Sequence, residues 1–399
     1  MNIGIIGFGK MGSAIFRLLA DKPYNITVLA IDEAEARDGE AKWLKGLKRS
    51  LRRGTITEDE FQGRTESLKF THQVEDLAST EIVIEAIFED YNKKVAIIRK
   101  LESVVKKNTV LVTNTSSISI ERISKALKYK DRFCGLHFFH PVMLINLVEI
   151  IRSPDTPDKL INLLIDFCKD IGRQAIVVRD PPGSTINLIL LHYYLEALYL
   201  LEEGQALPSK IDALAKKFFY VGPCESLDVI GIDFFLEALA GILDWFLDPQ
   251  KEHSKTITDV REVYHMPDLP DQLISAGRLG KKVSKGIYIY EKDKPFDDVL
   301  EFYINAARYR SSEDNQILDE LIENRLLYSV FNGCLYAIEK GLSTLKEVDI
   351  GVKEALLMKD GPFTMMQRIG KHKLIEIFET LAQNVGKRFR QNSFDFLED

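Results

Sequence analysis

Short apolar runs alternate with helix-spaced stretches over the first 180 positions. Asn2-Ile3-Gly4-Ile5-Ile6-Gly7 is an apolar run ending in glycine, the pattern of a buried parallel strand. Residues 13–19 then place apolar side chains at helical spacing. Strand signals return at 26–31, 81–86, 109–113 and 133–137, with helical segments between them. This alternation predicts a doubly wound α/β sheet over 1–180. Residues from about 33 to 65 interrupt it and read as a helical hairpin turning near Gly54-Thr55. Residues 186–201 form the longest apolar stretch. His192 and Glu196 break it, so it reads as an amphipathic core helix and not a membrane span.

The second half is helical and repeats itself. Asn187 and Gly204 stand at the same spacing as Asn324 and Gly341, with Tyr199 matching Tyr336 and Glu202 matching Glu339. Asp212 and Asp349 follow their glycines at one offset. Gly222-Pro223 and Gly361-Pro362 recur, each followed by Ile-Gly. A first helical domain over 181–292 and a second copy over 293–399 are expected, joined by charged, exposed stretches at 291–297 and 311–314. One copy alone would expose an apolar face, so the two should pack together. Because Asn324 matches Asn187 with no α/β domain before it, both can also be read as helix-start caps.

The chain of 399 residues has room for two or three domains. Its net charge of −7 argues against a nonspecific nucleic-acid binder. Cys134, Cys168, Cys224 and Cys334 are widely spaced, without a CxxC pair, so a disulfide framework and a zinc site are not expected. With no signal-peptide pattern at the start, the expectation is a cytoplasmic protein free of membrane.

The glycines at the first strand–helix junction carry the first chemical signal. Gly7-Phe8-Gly9-Lys10-Met11-Gly12 matches a phosphate cradle: Gly7 for the turn, Gly9 for close approach of a pyrophosphate, Gly12 for helix–strand packing. Asp32 ends the second strand about 20 residues beyond Gly12, where an acid binds ribose hydroxyls. Asp32 would repel a 2′-phosphate, and Glu33, Ala34 and Glu35 include no arginine to accept one. The pattern predicts a Rossmann domain that binds NAD in preference to NADP.

Glu89, Asn114-Thr115-Ser116-Ser117 and His137 all fall at strand ends, where ligands bind in open α/β sheets. Oxidising a secondary alcohol requires removal of its hydroxyl proton as hydride leaves carbon. His137 suits that task, and Glu149 can fix its tautomer and stabilise its imidazolium. Ser116 can hold the substrate oxygen. Read singly, His137 is a structural histidine and Glu149 half of a buried ion pair; the ordered set favours catalysis. A metal reading of His137 with His140 lacks acidic or cysteine partners, so no metal is expected. On the hairpin, Lys42, Lys45, Arg49 and Arg52 share a helix face. That face can hold the phosphates of coenzyme A, or simply be solvated.

These motifs, in this order, resemble the L-3-hydroxyacyl-CoA dehydrogenase family over nearly the whole chain. The matching stretches are Gly7 to Gly12, Ile84-Glu85-Ala86-Ile87-Phe88-Glu89, Asn114 to Ser117, Gly135-Leu136-His137-Phe138-Phe139, and Pro182-Gly183 followed by Asn187. The resemblance implies a catalytic His137–Glu149 pair and substrate contacts from Ser116 and Asn187. It implies NAD contacts at Asp32, Glu89, Lys94, Ser116, the position of His140, and Lys282. It also implies that the hairpin covers coenzyme A through Lys45, Arg49 and Arg52. Single-copy members dimerise through the helical domain, so here the second copy is expected to replace the partner chain, giving a monomeric pseudo-dimer. No segment has room for a hydratase domain; a separate hydratase and thiolase are expected alongside. The chain departs from the family at His140 (commonly Asn), Ser184 (Phe) and Leu188 (Arg).

The expected activity is oxidation of L-3-hydroxyacyl-CoA to 3-ketoacyl-CoA with NAD, in β-oxidation or related acyl-CoA metabolism. Two competing expectations are a dehydrogenase of a free hydroxy acid on the same fold, and an NAD-binding relative without activity.

Overall fold

The computed structural model describes residues 1–180, 184–247, 267–298, 316–389 and 394–397; side chains of 240–247 and of Lys387 are not described. Pro182-Gly183 and residues 311–314, singled out above, lie outside this set. The chain forms two compact units, Met1–Ser184 and Thr185–Asp399.

The first unit is one eight-stranded sheet. Its strands are β1 (Asn2–Ile6), β2 (Asn25–Leu29), β3 (Leu68–Thr71), β4 (Ile82–Glu85), β5 (Val110–Thr113), β6 (Phe133–Phe138), β7 (Leu147–Arg152) and β8 (Gln174–Arg179). They lie in the order β3-β2-β1-β4-β5-β6-β7-β8, parallel except where β7 runs antiparallel to β6. The first six strands have the order of a dinucleotide-binding fold, whose chain direction switches between β1 and β4. α1 (Lys10–Ala20) buries Ile15, Phe16, Leu18 and Leu19 against β1 and β2. Each such side chain contributes about 1.5–3 kcal/mol.

The hairpin consists of α2 (Glu33–Arg52) and α3 (Glu58–Glu66), with Gly54 at φ 66° in the turn. Thr57 and Glu60 close a reciprocal capping box at the start of α3. Leu47 faces the core, while Lys42, Lys45, Arg49 and Arg52 are exposed. α4 (Tyr91–Val104), α5 (Ile120–Lys125) and α6 (Asp158–Asp170) complete the unit.

The second unit contains the repeat. α7 (Thr185–Glu202), α8 (Pro208–Ala215), α9 (Pro223–Ile230) and α10 (Ile232–Leu247) form the first module. α11 (Leu269–Ser275) and a hairpin of β9 (Tyr288–Glu291) and β10 (Lys294–Asp297) extend it. α12 (Gln316–Glu339), α13 (Leu345–Leu356), α14 (Pro362–Ile369) and α15 (Lys371–Asn384) form the second module. The repeated glycines and aspartates do the same work in each. Gly204 and Gly341 end their helices at φ 65° and 63°. The Asp212 carboxylate accepts from Cys224 N (2.9 Å) and Glu225 N (3.0 Å); the Asp349 carboxylate accepts from Phe363 N (2.7 Å) and Thr364 N (3.2 Å). A Cβ at Gly222 or Gly361 would fall 2.2 Å from the carboxyl carbon of that aspartate. Each glycine is thus required by its module's own capping aspartate. α7 and α12 pack along one another.

Three expectations change. The 186–201 helix is not amphipathic: nearly every residue of α7 is buried, including His192 and Glu196, because α12 covers the side that would otherwise be wet. Asn187 lies in the first turn of α7 and Asn324 well inside α12, so the shared asparagine is not a cap. The charged 291–297 stretch is exposed but forms a hairpin, with Lys292 and Asp293 at positive φ in its turn and Asp297 accepting from Ser209 N at 3.0 Å.

Candidate active site

β1 ends one residue before Gly7, and α1 begins after Gly9, at the carboxyl edge of the sheet. Gly7 has φ 89°, and a Cβ there would lie 2.8 Å from the Ala86 carbonyl oxygen. A Cβ on Gly12 would lie 2.1 Å from the Gly7 carbonyl oxygen, so only glycine lets α1 approach β1 this closely. Gly9 is different: a Cβ there meets nothing within 4 Å. Among the described residues its small size serves no packing, and it leaves room in front of α1. No side chain caps that helix, so its leading N–H groups suit an anion. The side chains of Phe8 and Met11 pack on the core, which leaves their backbone for the cradle, while Lys10 is exposed. Asp32 is fixed beyond β2 by accepting from Glu35 N at 2.8 Å. Open glycine, uncapped helix and strand-end acid together fit a dinucleotide.

The loop carrying Ser116 is held by two carboxylates. Glu89 Oε1 accepts from the Thr115 hydroxyl, Ser116 N (3.0 Å), Ser117 N (2.9 Å) and Ser117 Oγ (2.9 Å). Burial acts to raise the Glu89 carboxyl pKa, but Lys94 and the hydroxyls outweigh it and hold it below the usual range. Lys94 is 1% exposed, with Nζ 2.8 Å from Glu85 and 3.3 Å from Glu89. Its charge therefore braces Glu89, and Glu89 braces the serines. At the loop's far end, Asp180 accepts from Ser119 Oγ (2.7 Å), Ile120 N (3.0 Å) and Glu121 N (2.7 Å). Asn114 links the loop to β6: its Oδ1 accepts from Phe138 N at 2.9 Å. Glu85 and Asp180 were not among the residues singled out from the sequence. An acid inside the apolar run Ile82-Val83-Ile84-Glu85 was the available signal for the first; Asp180 had none beyond its place before Pro181.

His137 and Glu149 are direct cross-strand partners on β6 and β7. Successive side chains of a strand alternate faces, so this register puts both on one face of the sheet. His137 Nδ1 lies 2.8 Å from Glu149 Oε2; His137 is 5% exposed and Glu149 fully buried. A buried carboxylate on Nδ1 selects the tautomer with its proton there, leaving Nε2 to accept one. The Phe139 ring meets the imidazole edge-on at 4.5 Å. The pair can thus take up a proton without losing the position of the ring.

The other predicted positions are distributed as follows. His140 lies at the surface of the first unit; desolvation of its ring and then the Lys10 charge lower its pKa. Lys45, Arg49 and Arg52 are solvent-facing on α2. Asn187 and Lys282 belong to the second unit, and Lys282 Nζ lies 2.6 Å from both oxygens of Asp233. Among the described residues, no group of three or more His, Cys, Asp or Glu side chains is placed to hold a metal ion. No described helix is long and apolar enough to cross a membrane.

Residues 2–181 match the family model for the 3-hydroxyacyl-CoA dehydrogenase NAD-binding domain. The model for the C-terminal domain of the same family matches residues 183–290 and 321–397, in line with the two modules. The mitochondrial hydroxyacyl-coenzyme A dehydrogenase of Mus musculus is 33% identical over 302 residues, covering 73% of this chain and 91% of the relative. The fatty acid oxidation complex subunit alpha of Pseudomonas putida is 30% identical over 356 residues; the match covers 87% of this chain but only 48% of that longer protein. Among solved structures, an (S)-3-hydroxybutyryl-CoA dehydrogenase of Ralstonia eutropha aligns with TM-score 0.65 and 33% identity, over 73% of this chain and 99% of its own. A 3-hydroxybutyryl-CoA dehydrogenase of Escherichia coli shares the fold over 98% of this chain and 97% of its own, with TM-score 0.82 and 22% identity. The sheet order, the phosphate cradle and these matches agree: the chain belongs to the 3-hydroxyacyl-CoA dehydrogenase family, with NAD as its cofactor.

Proposed function

We propose that this chain oxidises L-3-hydroxyacyl-CoA thioesters to 3-ketoacyl-CoA, with His137 as the base and Glu149 as the residue that orients it. When bound, NAD supplies the hydride acceptor. His137 Nε2 takes the 3-hydroxyl proton, and the imidazolium so formed is stabilised by the buried Glu149 carboxylate. Ser116 donates to the substrate oxygen, positioned by a loop that Glu89, Asn114 and Asp180 hold from three directions. In the reverse direction the same imidazolium returns the proton to the 3-keto oxygen.

The observation that carries this reading is the buried 2.8 Å His137–Glu149 bond at the carboxyl edge of β6, joined to the serine loop through Asn114. The resemblance adds Asn187 as a second substrate contact and Lys282 as a cofactor contact. It also assigns the exposed Lys45, Arg49 and Arg52 face to coenzyme A. Reversing those three charges should raise the Michaelis constant for acyl-CoA while leaving that for NADH unchanged. The second helical module stands in for a partner chain. Related chains include the alpha subunit of a fatty acid oxidation complex, which supports a place beside a hydratase and a thiolase.

The test is NADH oxidation with acetoacetyl-CoA and longer 3-ketoacyl-CoA substrates, NADPH as control, for wild type and His137→Ala. Turnover with NADH that the substitution abolishes supports the proposal. A folded His137→Ala protein with normal turnover refutes it.

A further inference from the structure

The two modules of the second unit share a fold but not a pairing face. With Asn187 set against Asn324 and Gly204 against Gly341, equivalent positions on α7 and α12 can be compared. Where α7 has Leu188, α12 has Arg325. Glu196 corresponds to Gly333, and Glu203 to Lys340.

These differences meet at one buried cluster. The Arg325 guanidinium, 2% exposed, donates from Nε to Glu196 (2.5 Å) and from Nη1 and Nη2 to Glu203 (2.5 and 3.1 Å). Arg388 adds Nε to Glu196 (2.8 Å) and Nη2 to Glu203 (3.0 Å), with its guanidinium over the Tyr199 ring at 4.2 Å. Both acids of the cluster come from the first module and both bases from the second. Shape follows the same division. A Cβ at Gly333 would already stand 3.0 Å from the Ile189 carbonyl oxygen and 3.1 Å from His192 Nδ1. The first module has a glutamate at that position.

Self-pairing of either module would therefore fail. Two first modules would drive Glu196 into the backbone of the opposing helix at Ile189. They would bring four carboxylates together, the two Glu196 buried and the two Glu203 half-buried, with Leu188 where Arg325 now stands. Two second modules would set Arg325 against Gly333 and Lys340, a buried cation facing no acid. A buried charge without a partner is strongly destabilising, and like charges add repulsion.

We propose that the modules are obligate complements. The acidic α7 face fits only the arginine-bearing, glycine-notched α12 face, in its own chain or in a second copy of the chain, and neither face fits its own kind. A duplicated pairing surface has thereby become one that closes within a single polypeptide. This rests on the cluster and not on the catalytic reading.

The experiment uses two full-length variants, R325E/R388E and E196R/E203R. In the first, acid faces acid; in the second, base faces base. Purified alone, each is expected to melt at least 10 °C below wild type and to lose the monomer peak. Co-expressed, each variant's α7 meets the oppositely charged face of the other chain, so a mixed dimer of twice the 45.5 kDa chain mass is expected by light scattering. Because the single variants can be too unstable to co-purify, the fourfold variant E196R/E203R/R325E/R388E is measured as well; it should recover a monomer melting within a few degrees of wild type. Either the mixed dimer or the recovered monomer supports the proposal. Variants that keep wild-type melting and mass on their own overturn it, as does failure of both the mixture and the fourfold chain.

Discussion

Replacing Glu149 by glutamine keeps the side-chain volume and removes one charge. Glu149 is fully buried and sits 2.8 Å from His137 Nδ1, so little solvent screens the pair. Charge centres about 4 Å apart attract by about 4 kcal/mol at an effective dielectric of 20. That attraction exists only once His137 has taken the substrate proton, so it lowers the barrier and leaves the ground state largely unchanged. At 1.36 kcal/mol per decade, its loss predicts a fall in kcat of about 10³-fold. The amide can also turn its NH₂ toward Nδ1 and favour the wrong tautomer, so this is a lower bound. The assay is steady-state NAD reduction with L-3-hydroxybutyryl-CoA, the direction in which His137 starts neutral, beside a fluorescence titration of NADH. The dissociation constant for NADH should be unchanged, since Glu149 is no part of the phosphate cradle. A folded Glu149→Gln enzyme with kcat within threefold of wild type refutes the reasoning.

Ser116→Ala should lower kcat by about 10²-fold, the cost of one donor to a reacting oxygen, without shifting the melting temperature; unchanged kcat removes Ser116 from the mechanism. Gly9→Ala should fold normally, because its Cβ meets nothing within 4 Å, yet weaken NADH binding at least tenfold by calorimetry. Gly222→Ala and Gly361→Ala should each cost about 3 kcal/mol in urea unfolding, since both press a Cβ onto a capping aspartate; a large effect in one module only contradicts the repeat. His192 is buried, and burial lowers its pKa to about 4 against an ordinary 6.5. The unfolded chain takes up that proton first, so stability should be lost as pH falls from about 6.5 to 4, by about 3 kcal/mol relative to His192→Gln. Parallel unfolding curves for the two proteins across that range would exclude the effect.

How far the sequence could be read follows from how local each signal was. β1, the glycine turn and α1 are contiguous, and their pattern has one physical reading. β3 and β8 were not anticipated: Leu68-Lys69-Phe70-Thr71 and the run from Gln174 to Arg179 mix polar and apolar residues, as sheet-edge strands do. Glu149 could be named as the partner of His137, but only the antiparallel step between β6 and β7 makes the two cross-strand neighbours. Lys94 was expected to touch the cofactor. Its burial against Glu85 could not be seen, because the pair lies nine residues apart across a strand end, a loop and a helix start. The repeat was legible because its glycines and aspartates perform one local task twice. The Glu196–Arg325 pairing was not, since Arg325 is more than a hundred residues from Glu196.

The central claim is that His137 exchanges the proton of the 3-oxygen while its other nitrogen stays on Glu149. A crystal structure of the chain with NAD and acetoacetyl-CoA tests it most directly. The account predicts His137 Nε2 within about 2.6–3.2 Å of the 3-keto oxygen, with the Glu149 bond intact. A ternary complex in which that oxygen contacts other donors and His137 faces away from it would contradict the account.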